Sequence, residues 1–555
     1  MDKFTLLKLD RAIWTAFIEN QNIPEAVKYY QIYIDCLENF DADEYLITQE
    51  IEFSKRLFQK KIITCANNFF NEHDIPNAAI AYSIAFKNDV KDVKTLKNYI
   101  TCLDELKQYD LKLEIIKHLE EIAGSNVEIN NLLSQTYEQQ NDIPQAISYT
   151  QKCIESEQEE EKRAEYYNNL GFLYDKYANE VPNKNKREEL QKSLIAFETA
   201  SDLLPSSRLY AKNAAILANK INNHISGKKY WTRLINNACL TNDDKFDYGA
   251  YSLKVENFSD WYKYFDARFE KESGPTSFPK IDKPKWDGTQ DLSNSTLLIH
   301  YEQGFGDTFM MWGYIPRLLK LAKHIIFVTQ YETYNLLKNN EYGVEVYSKD
   351  YVDLKKLNFD YYIPSMSVPL VLKPDRTNLS VGEGYIKVSN DLVSDFKQKY
   401  FNNDKFKIGF SFSGNKTGTR SRDIEVEEFL TFDELENVQF YNLTKNLPDS
   451  KFEIFKKNKV INIVKHAYDF ADTAAIIMNC DVIVTADNCI LNLAGALGKK
   501  TFALFNWNNN FRWFDLSGDN VIWYTSVKPY VCDDINNWQS AIIPAMNDIK
   551  KLKAE

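Results

Sequence analysis

The 555-residue sequence predicts an all-helical repeat solenoid followed by two Rossmann-like α/β lobes. Three observations carry that prediction. A short helix-starting phrase recurs along the first part of the chain. A stretch rich in glycine and proline interrupts it between Glu270 and Ser295. Beyond the stretch, short apolar strands alternate with helices, the texture of βαβ units and a parallel sheet. The expected divisions are helical repeats over 1–240, a helical connector and linker over 241–293, a first lobe over 294–400 and a second over 401–555.

The recurring phrase reads Asn22-Ile23-Pro24-Glu25-Ala26, Asp74-Ile75-Pro76-Asn77-Ala78 and Asp142-Ile143-Pro144-Gln145-Ala146. Asn or Asp caps a helix, and proline suits the first turn, where its missing N–H has no partner to lose. Ala78 and Ala146 stand 68 residues apart, twice the period of about 34 that marks tetratricopeptide repeats, and a weaker copy near Tyr109-Asp110-Leu111-Lys112 falls midway. Ala26 and Ala78 are 52 apart, so the first repeat is expected to be irregular or longer. Leu133, Tyr137, Ala146 and Cys153 follow the large–large–small–small pattern of a two-helix repeat. Leu170-Gly171-Phe172-Leu173-Tyr174 with Phe197, Ala200 and Pro205 gives another, lengthened near Asn179–Arg187. Such an array either binds a peptide or protein on its concave face or only scaffolds the next domain. The charged run Glu155–Arg163 reads as a solvated helix face.

In the first lobe the expected order is strand Thr296–Tyr301, helix Thr308–Ala322 and strand Ile325–Val328. In the second it is strand Phe406–Phe412, strand Val438–Leu443, helix Thr473–Met478, strand Val482–Thr485, helix Cys489–Leu497 and strand Thr501–Leu504.

Composition narrows the function classes. A net charge of −12 argues against general nucleic-acid binding, which needs basic surface. The N-terminus lacks a secretory apolar core and no long apolar run crosses a membrane, so a cytoplasmic protein without a membrane span is expected. The eight cysteines form no CxxC pair and the six histidines no cluster, so no protein-built metal site is expected. P-loop, GxSxG and GxGxxG patterns are absent at the expected places.

Open α/β sheets bind ligands at the carboxyl ends of their strands, so four post-strand motifs matter. Glu302-Gln303-Gly304-Phe305-Gly306-Asp307 joins a strand to a helix; Asp307 either caps that helix or serves as a general base. Ser411-Phe412-Ser413-Gly414-Asn415-Lys416, with Arg420 and Arg422, either holds an anion or is a surface loop. Asp487-Asn488-Cys489 opens a helix of small residues, where free N–H groups suit a pyrophosphate and Asn492 lies one turn on, within reach of a ribose. The alternative is an ordinary capped core helix. Asn506-Trp507, Phe511-Arg512-Trp513 and Trp523-Tyr524 either stack on a base or sugar or pack in the core.

Five phrases in order resemble the bacterial tetratricopeptide-repeat glycosyltransferases, whose GT-B half is similar to heptosyltransferases and, more distantly, to O-linked N-acetylglucosamine transferases. They are Trp261-Tyr262-Lys263-Tyr264-Phe265-Asp266-Ala267-Arg268-Phe269, Pro284-Lys285-Trp286-Asp287-Gly288, Glu302 to Asp307, Phe470-Ala471-Asp472-Thr473-Ala474-Ala475 and Leu493-Ala494-Gly495-Ala496-Leu497-Gly498-Lys499. The resemblance implies a TPR-like solenoid joined to a GT-B pair of lobes. It implies Asp307 as base, with Gly304, Gly306, Ser413, Gly414, Asn415, Arg422, Thr444, Lys445, Asp487, Asn488, Cys489 and Asn492 on the donor. Departures are Asn488 for the family's usual threonine, Asn492 for its histidine and Arg422-Asp423-Ile424 for Arg-Ser-Ile.

The activity so implied is inverting, metal-independent transfer from a nucleotide-sugar co-substrate to a protein hydroxyl, with no further cofactor. The repeats would present the acceptor, a flagellin or another surface protein. A glycan- or lipopolysaccharide-elongating transferase and a non-catalytic binding protein of the same fold are the alternatives.

Overall fold

The computed structural model describes residues 3–40, 43–237, 240–274, 276–413, 423–429, 435–447, 449–457, 459–507, 513 and 520–554. Two compact units result, one of residues 1–180 with 191–204, the other of 181–190 with 205–555.

The first unit is built of antiparallel helix pairs. Ile23–Glu38, Ile75–Lys87 and Ile143–Ser156 start where the recurring phrase stands, and Asn22, Asp74 and Asp142 accept the N–H of Glu25, Asn77 and Gln145 at 3.4, 3.4 and 3.3 Å. Before each cap lies a left-handed residue: Gln21, His73 and Asn141, at φ +59°, +59° and +62°. The weaker copy obeys the same geometry, because Lys107 has φ +56° ahead of helix Tyr109–Ala123, whose cap Gln108 makes no side-chain bond. The long spacing at the start has a simple cause: helix Glu44–Asn71 runs for 28 residues. Gly171 lets two helices touch, since a Cβ there would sit 2.6 Å from the Phe197 ring.

The second unit opens with two more helix pairs, Arg208–Lys220 with His224–Asn236 and Asn242–Lys254 with Phe258–Tyr264. Their turns repeat the device: Asn222 and Glu256 have φ +60° and +55°, and Asn223 and Asn257 cap. These pairs cluster with the α/β lobes rather than with the earlier helices.

The first lobe is a parallel sheet ordered β3-β2-β1-β4, with β1 Thr296–His300, β2 His324–Thr329, β3 Glu345–Ser348 and β4 Tyr361–Pro364. The second is parallel and ordered β6-β5-β7-β8-β9, with β5 Phe406–Ser411, β6 Val438–Asn442, β7 Val482–Ala486, β8 Thr501–Phe505 and β9 Val527–Val531. Sequence reading finds the interior strands and the edge strand β6, and misses β3, β4 and β9. These are short edge strands of mixed polarity, and β9 carries Pro529, which an edge tolerates.

The helix expected over Thr308–Ala322 differs in both limits. It starts at Phe305, so the glycine turn is its first turn, and it stops at Trp312; a separate turn, Ile315–Leu318, follows. Pro316 cannot supply a mid-helix N–H. Gly313, at the break, lies against Val381 and the Tyr385 ring, where a Cβ would meet atoms at 2.2 and 3.0 Å.

One apolar core runs through both lobes, from Trp261 and Phe265 through Leu297, Phe309, Ile483 and Leu491 to Trp523. The helices Phe305–Trp312, Phe470–Asn479 and Cys489–Ala496 lie inside it, and Phe470 packs its ring 4.9 Å from Phe305 and 5.0 Å from Phe309.

Candidate functional site

In the first lobe, β1 ends at His300 and the chain turns through Gln303, left-handed at φ +63°. Gly304 caps helix Phe305–Trp312, and the buried Asp307 accepts the Gly304 N–H on Oδ2 at 3.1 Å. Asp307 is therefore a cap, and the capping bond fixes the direction of its carboxyl group. Thr308 donates to Gln330 Oε1 at 2.8 Å, and Gln330 Nε2 donates to the Gln303 carbonyl at 3.3 Å. The turn is held on both sides.

In the second lobe, Asn488 caps helix Cys489–Ala496 with Oδ1, which accepts from the N–H of Ile490 and Leu491 at 2.9 and 3.4 Å. The same carboxamide donates to Ser411 Oγ at 2.9 Å and to the Ser413 carbonyl at 3.1 Å. Thr485 donates to Asn488 Oδ1 at 3.1 Å. Thr444 accepts the Phe412 N–H at 3.2 Å and donates to Ser411 Oγ at 3.3 Å. Asn488 thus ties the carboxyl end of β7 to that of β5, and Thr444 ties in β6. Ser413 donates onward to Asp423 Oδ1 at 3.0 Å. Asp487, half-buried, precedes the cap.

Lys445 is exposed and follows Thr444. Burial pushes the Cys489 thiol up to about 11, against the pull of its own and the Ile490 amides and of the Lys445 charge. Burial likewise raises the Asp472 carboxyl, and Lys445 opposes that too. Lys445 therefore lies within electrostatic reach of two helix starts, at Cys489 and at Phe470.

The two lobes bring these parts together. A Cβ on Gly306 would lie 2.6 Å from Asn492 Nδ2 and 3.5 Å from Cys489 Cα. Asn492 also accepts the Tyr524 hydroxyl at 3.1 Å and donates to the Asn488 carbonyl at 3.4 Å. Burial holds the Tyr524 hydroxyl well above the ordinary phenol range, against the hydrogen bond with Tyr385 and with a smaller push from the Asp307 charge. Of the residues singled out from the sequence, Gly306, Asn488, Cys489 and Asn492 thus form one cluster, with Gly304 and Asp307 on its first-lobe side and Ser413 and Thr444 on its second. Gly414, Asn415 and Arg422 lie outside the described residues, as do Arg420, Phe511 and Arg512.

Trp513, Trp523 and Tyr524 are buried, and Trp507 is half-buried. Tyr524 covers Gly495, where a Cβ would meet its ring at 2.5 Å. The first three aromatics are packing residues.

Arg268 and Glu302 stand in two of the quoted phrases without an expected role, yet they are buried and form a bidentate pair along one edge of the guanidinium, Nε to Oε1 at 2.6 Å and Nη2 to Oε2 at 2.8 Å. Sequence reading also passed over the tie from Asn488 to Ser411. For Arg268 the available signal was two charged residues, Asp266 and Arg268, between Phe265 and Phe269 in an aromatic phrase.

The arrangement sets an oriented carboxylate on one lobe opposite a helix start and a lysine on the other. Among the described residues, no three His, Cys, Asp or Glu side chains converge to hold a metal ion. No described helix is long and apolar enough to cross a membrane.

No protein-family model matches the chain, and no curated protein matches it. Solved structures with low similarity to parts of the chain include three from different proteins. A glycosyl transferase of family 9 from Veillonella parvula is 13% identical over 48% of this chain and 90% of its own, with a TM-score of 0.35. MamA is 17% identical over 32% of this chain and 91% of its own, at 0.28. YrrB, described as a TPR protein with an unusual peptide-binding site, is 16% identical over 32% of this chain and 84% of its own, at 0.26.

Proposed function

We propose that this protein is a glycosyltransferase that moves a sugar from a nucleotide-sugar donor to a hydroxyl of a protein acceptor, with inversion and without a metal. The observation that carries the reading is the apposition of the Gly304–Asp307 turn on one lobe with the Asn488–Asn492 helix start on the other. Asp307 would take the proton of the acceptor hydroxyl as its oxygen bonds to the anomeric carbon. The bond from that carbon to the diphosphate oxygen would break, and the electron pair would leave with the nucleotide. The helix start, with Lys445, would stabilise the charge that develops there.

A polypeptide acceptor is supported by a groove of about 600 Å³ in the first unit, lined by Asn131, Gln135, Asn169, Phe172 and Lys176 among others. It offers carboxamides for a main chain and an exposed ring for an apolar side chain.

Thermal-shift titration of the full chain with UDP, GDP, ADP and CMP tests the donor half. One nucleoside diphosphate should raise Tm by mass action. The Asp307→Asn variant tests the chemistry. It keeps an oxygen for the Gly304 N–H, so it should fold and bind the same nucleotide but leave the acceptor unglycosylated in cells. No nucleotide effect, or undiminished glycosylation by Asp307→Asn, would overturn the reading.

A further inference from the structure

Two of the sequence phrases, Trp261 to Phe269 and Pro284 to Gly288, play no part in the proposed chemistry, yet they converge on its turn. Arg268 is fully buried, its guanidinium 4.9 Å from the Phe265 ring centre and 4.3 Å from that of Phe269. A guanidinium has five N–H donors. Here Nε goes to Glu302 Oε1, Nη2 to Glu302 Oε2 and Ser367 Oγ, and Nη1 to the Phe265 carbonyl and Asp266 Oδ1. Ser367 returns a hydrogen bond to Asp266 at 2.8 Å, and Lys285 of the second phrase pairs with the other oxygen of Asp266. Burial raises the Asp266 carboxyl, but the charges of Arg268 and Lys285 outweigh it and hold the group below the usual carboxylate range.

Four separate stretches of chain meet at this hub: 266–268, 285, 302 and 367. Lys285 forms an isolated bridge with Tyr362 of β4, so the hub reaches the next strand of the sheet as well. Glu302 is the last residue before the left-handed Gln303 and the Gly304 cap. A buried ion pair is a poor source of net stability compared with apolar packing of equal volume, because both charges lose their hydration. What a bidentate fork does supply is a fixed direction.

We infer that Arg268 is a positioning residue of the transfer site: through Glu302 it sets the backbone of the Gln303–Asp307 turn and so the aim of the Asp307 carboxylate. The inference rests on the proposed reading of Asp307. It makes the connector ahead of the first lobe a working part of that site, not a linker. Arg268 touches neither donor nor acceptor; it acts only through the turn.

The test compares the full-length wild type with Arg268→Lys and Ser367→Ala. Lysine keeps the charge and loses the fork; alanine removes one arm of the hub and leaves the ion pair, so it serves if the lysine variant folds poorly. Amide hydrogen exchange is read at 303–308 and, as the internal reference, in helix Cys489–Ala496. Steady-state transfer and UDP, GDP and ADP binding are read on the same samples. Arg268→Lys should speed exchange at 303–308 by about tenfold or more, since lysine cannot reproduce the bidentate geometry. Exchange in the reference helix and nucleoside diphosphate affinity should stay within about twofold, while kcat falls by about tenfold to a hundredfold with KM for the donor little changed. Unchanged exchange at 303–308 in both variants, or equal acceleration at 303–308 and in the reference helix, would overturn the inference. If the wild type transfers no sugar from any nucleotide donor, the functional reading fails, and the exchange result still decides whether Arg268 holds the turn.

Discussion

Gly306 and Asn492 sit on different lobes, and a methyl group on Gly306 would lie 2.6 Å from Asn492 Nδ2, closer than real side-chain carbons approach. Gly306 is helical, so its backbone does not need glycine. The space does. The helix Phe305–Trp312 approaches the helix Cys489–Ala496 closely enough at this point that only a hydrogen fits. Asn492 cannot swing away cheaply, because Tyr524 and the Asn488 carbonyl hold both ends of its carboxamide.

Gly306→Ala should therefore destabilise the second unit by ~1–3 kcal/mol, the usual range for overpacking. It should also weaken nucleoside diphosphate binding, since Cys489 Cα lies next to the added carbon. Adding Asn492→Ala removes the clashing nitrogen, so the double variant should be more stable than the sum of the two single effects predicts. A double-mutant cycle by urea unfolding measures this. Strict additivity would mean that the two helices are not in contact at this point.

Asn488 separates capping from anion binding. Asn488→Asp retains an oxygen for the N–H groups of Ile490 and Leu491, so the helix start should persist. It loses the donor to Ser411 and Ser413 and puts a negative charge where the proposed reading sets a diphosphate. The expected result is a Tm within a few degrees of wild type and a nucleoside diphosphate affinity about tenfold weaker, equivalent to ~1.4 kcal/mol. Equal affinity in calorimetric titration would move the phosphates away from this helix start.

The contrast between cap and hub shows what the sequence could carry. Asn22, Asp74 and Asp142 were readable because cap, proline and helix lie within three residues of one another. The start of helix Tyr109–Ala123 was only half readable, because its cap residue makes no side-chain bond and its signature is the left-handed Lys107, a backbone state that the residue type does not announce. The interior strands announced themselves by apolar runs, and so did the edge strand β6 through Val438, Phe440 and Tyr441, whereas β3 and β4, at the other sheet's edges, carry tyrosines and a glutamate and did not. For the candidate site, Gly306, Asn488 and Asn492 could be named one by one, each from its place after a strand. That Gly306 faces Asn492, or that Arg268 reaches Glu302 across 34 residues, depends on tertiary packing that no local pattern encodes.

Gly171→Ala should act on the first unit alone. Its Cβ would meet the Phe197 ring at 2.6 Å, and that ring is itself wedged edge-on against Phe172 at 5.0 Å. A loss of ~1–3 kcal/mol is expected there. In differential scanning calorimetry the transition of the first unit should move down while nucleotide-dependent stabilisation of the second stays as in wild type. Loss of both would show that the units unfold as one.

Cys489 offers a probe of the site that needs no substrate assay. Burial holds its thiol near 11, so at pH 8 only ~0.1% is thiolate, the form that reacts with iodoacetamide. Because the pKa is raised, the neutral thiol persists through the physiological range, and alkylation should climb about tenfold per pH unit until the pH nears 11. Cys36, exposed on the first unit, is the internal reference and should be modified far faster at pH 8. Peptide mapping by mass spectrometry follows both residues in one sample. A bound nucleoside diphosphate lying across the Asn488–Cys489 helix start should slow Cys489 further and leave Cys36 unchanged. Alkylation of Cys489 at pH 8 as fast as that of Cys36 would show that the thiol is open to solvent, and with it that the cleft beside Gly306 is wider than the contact with Asn492 requires.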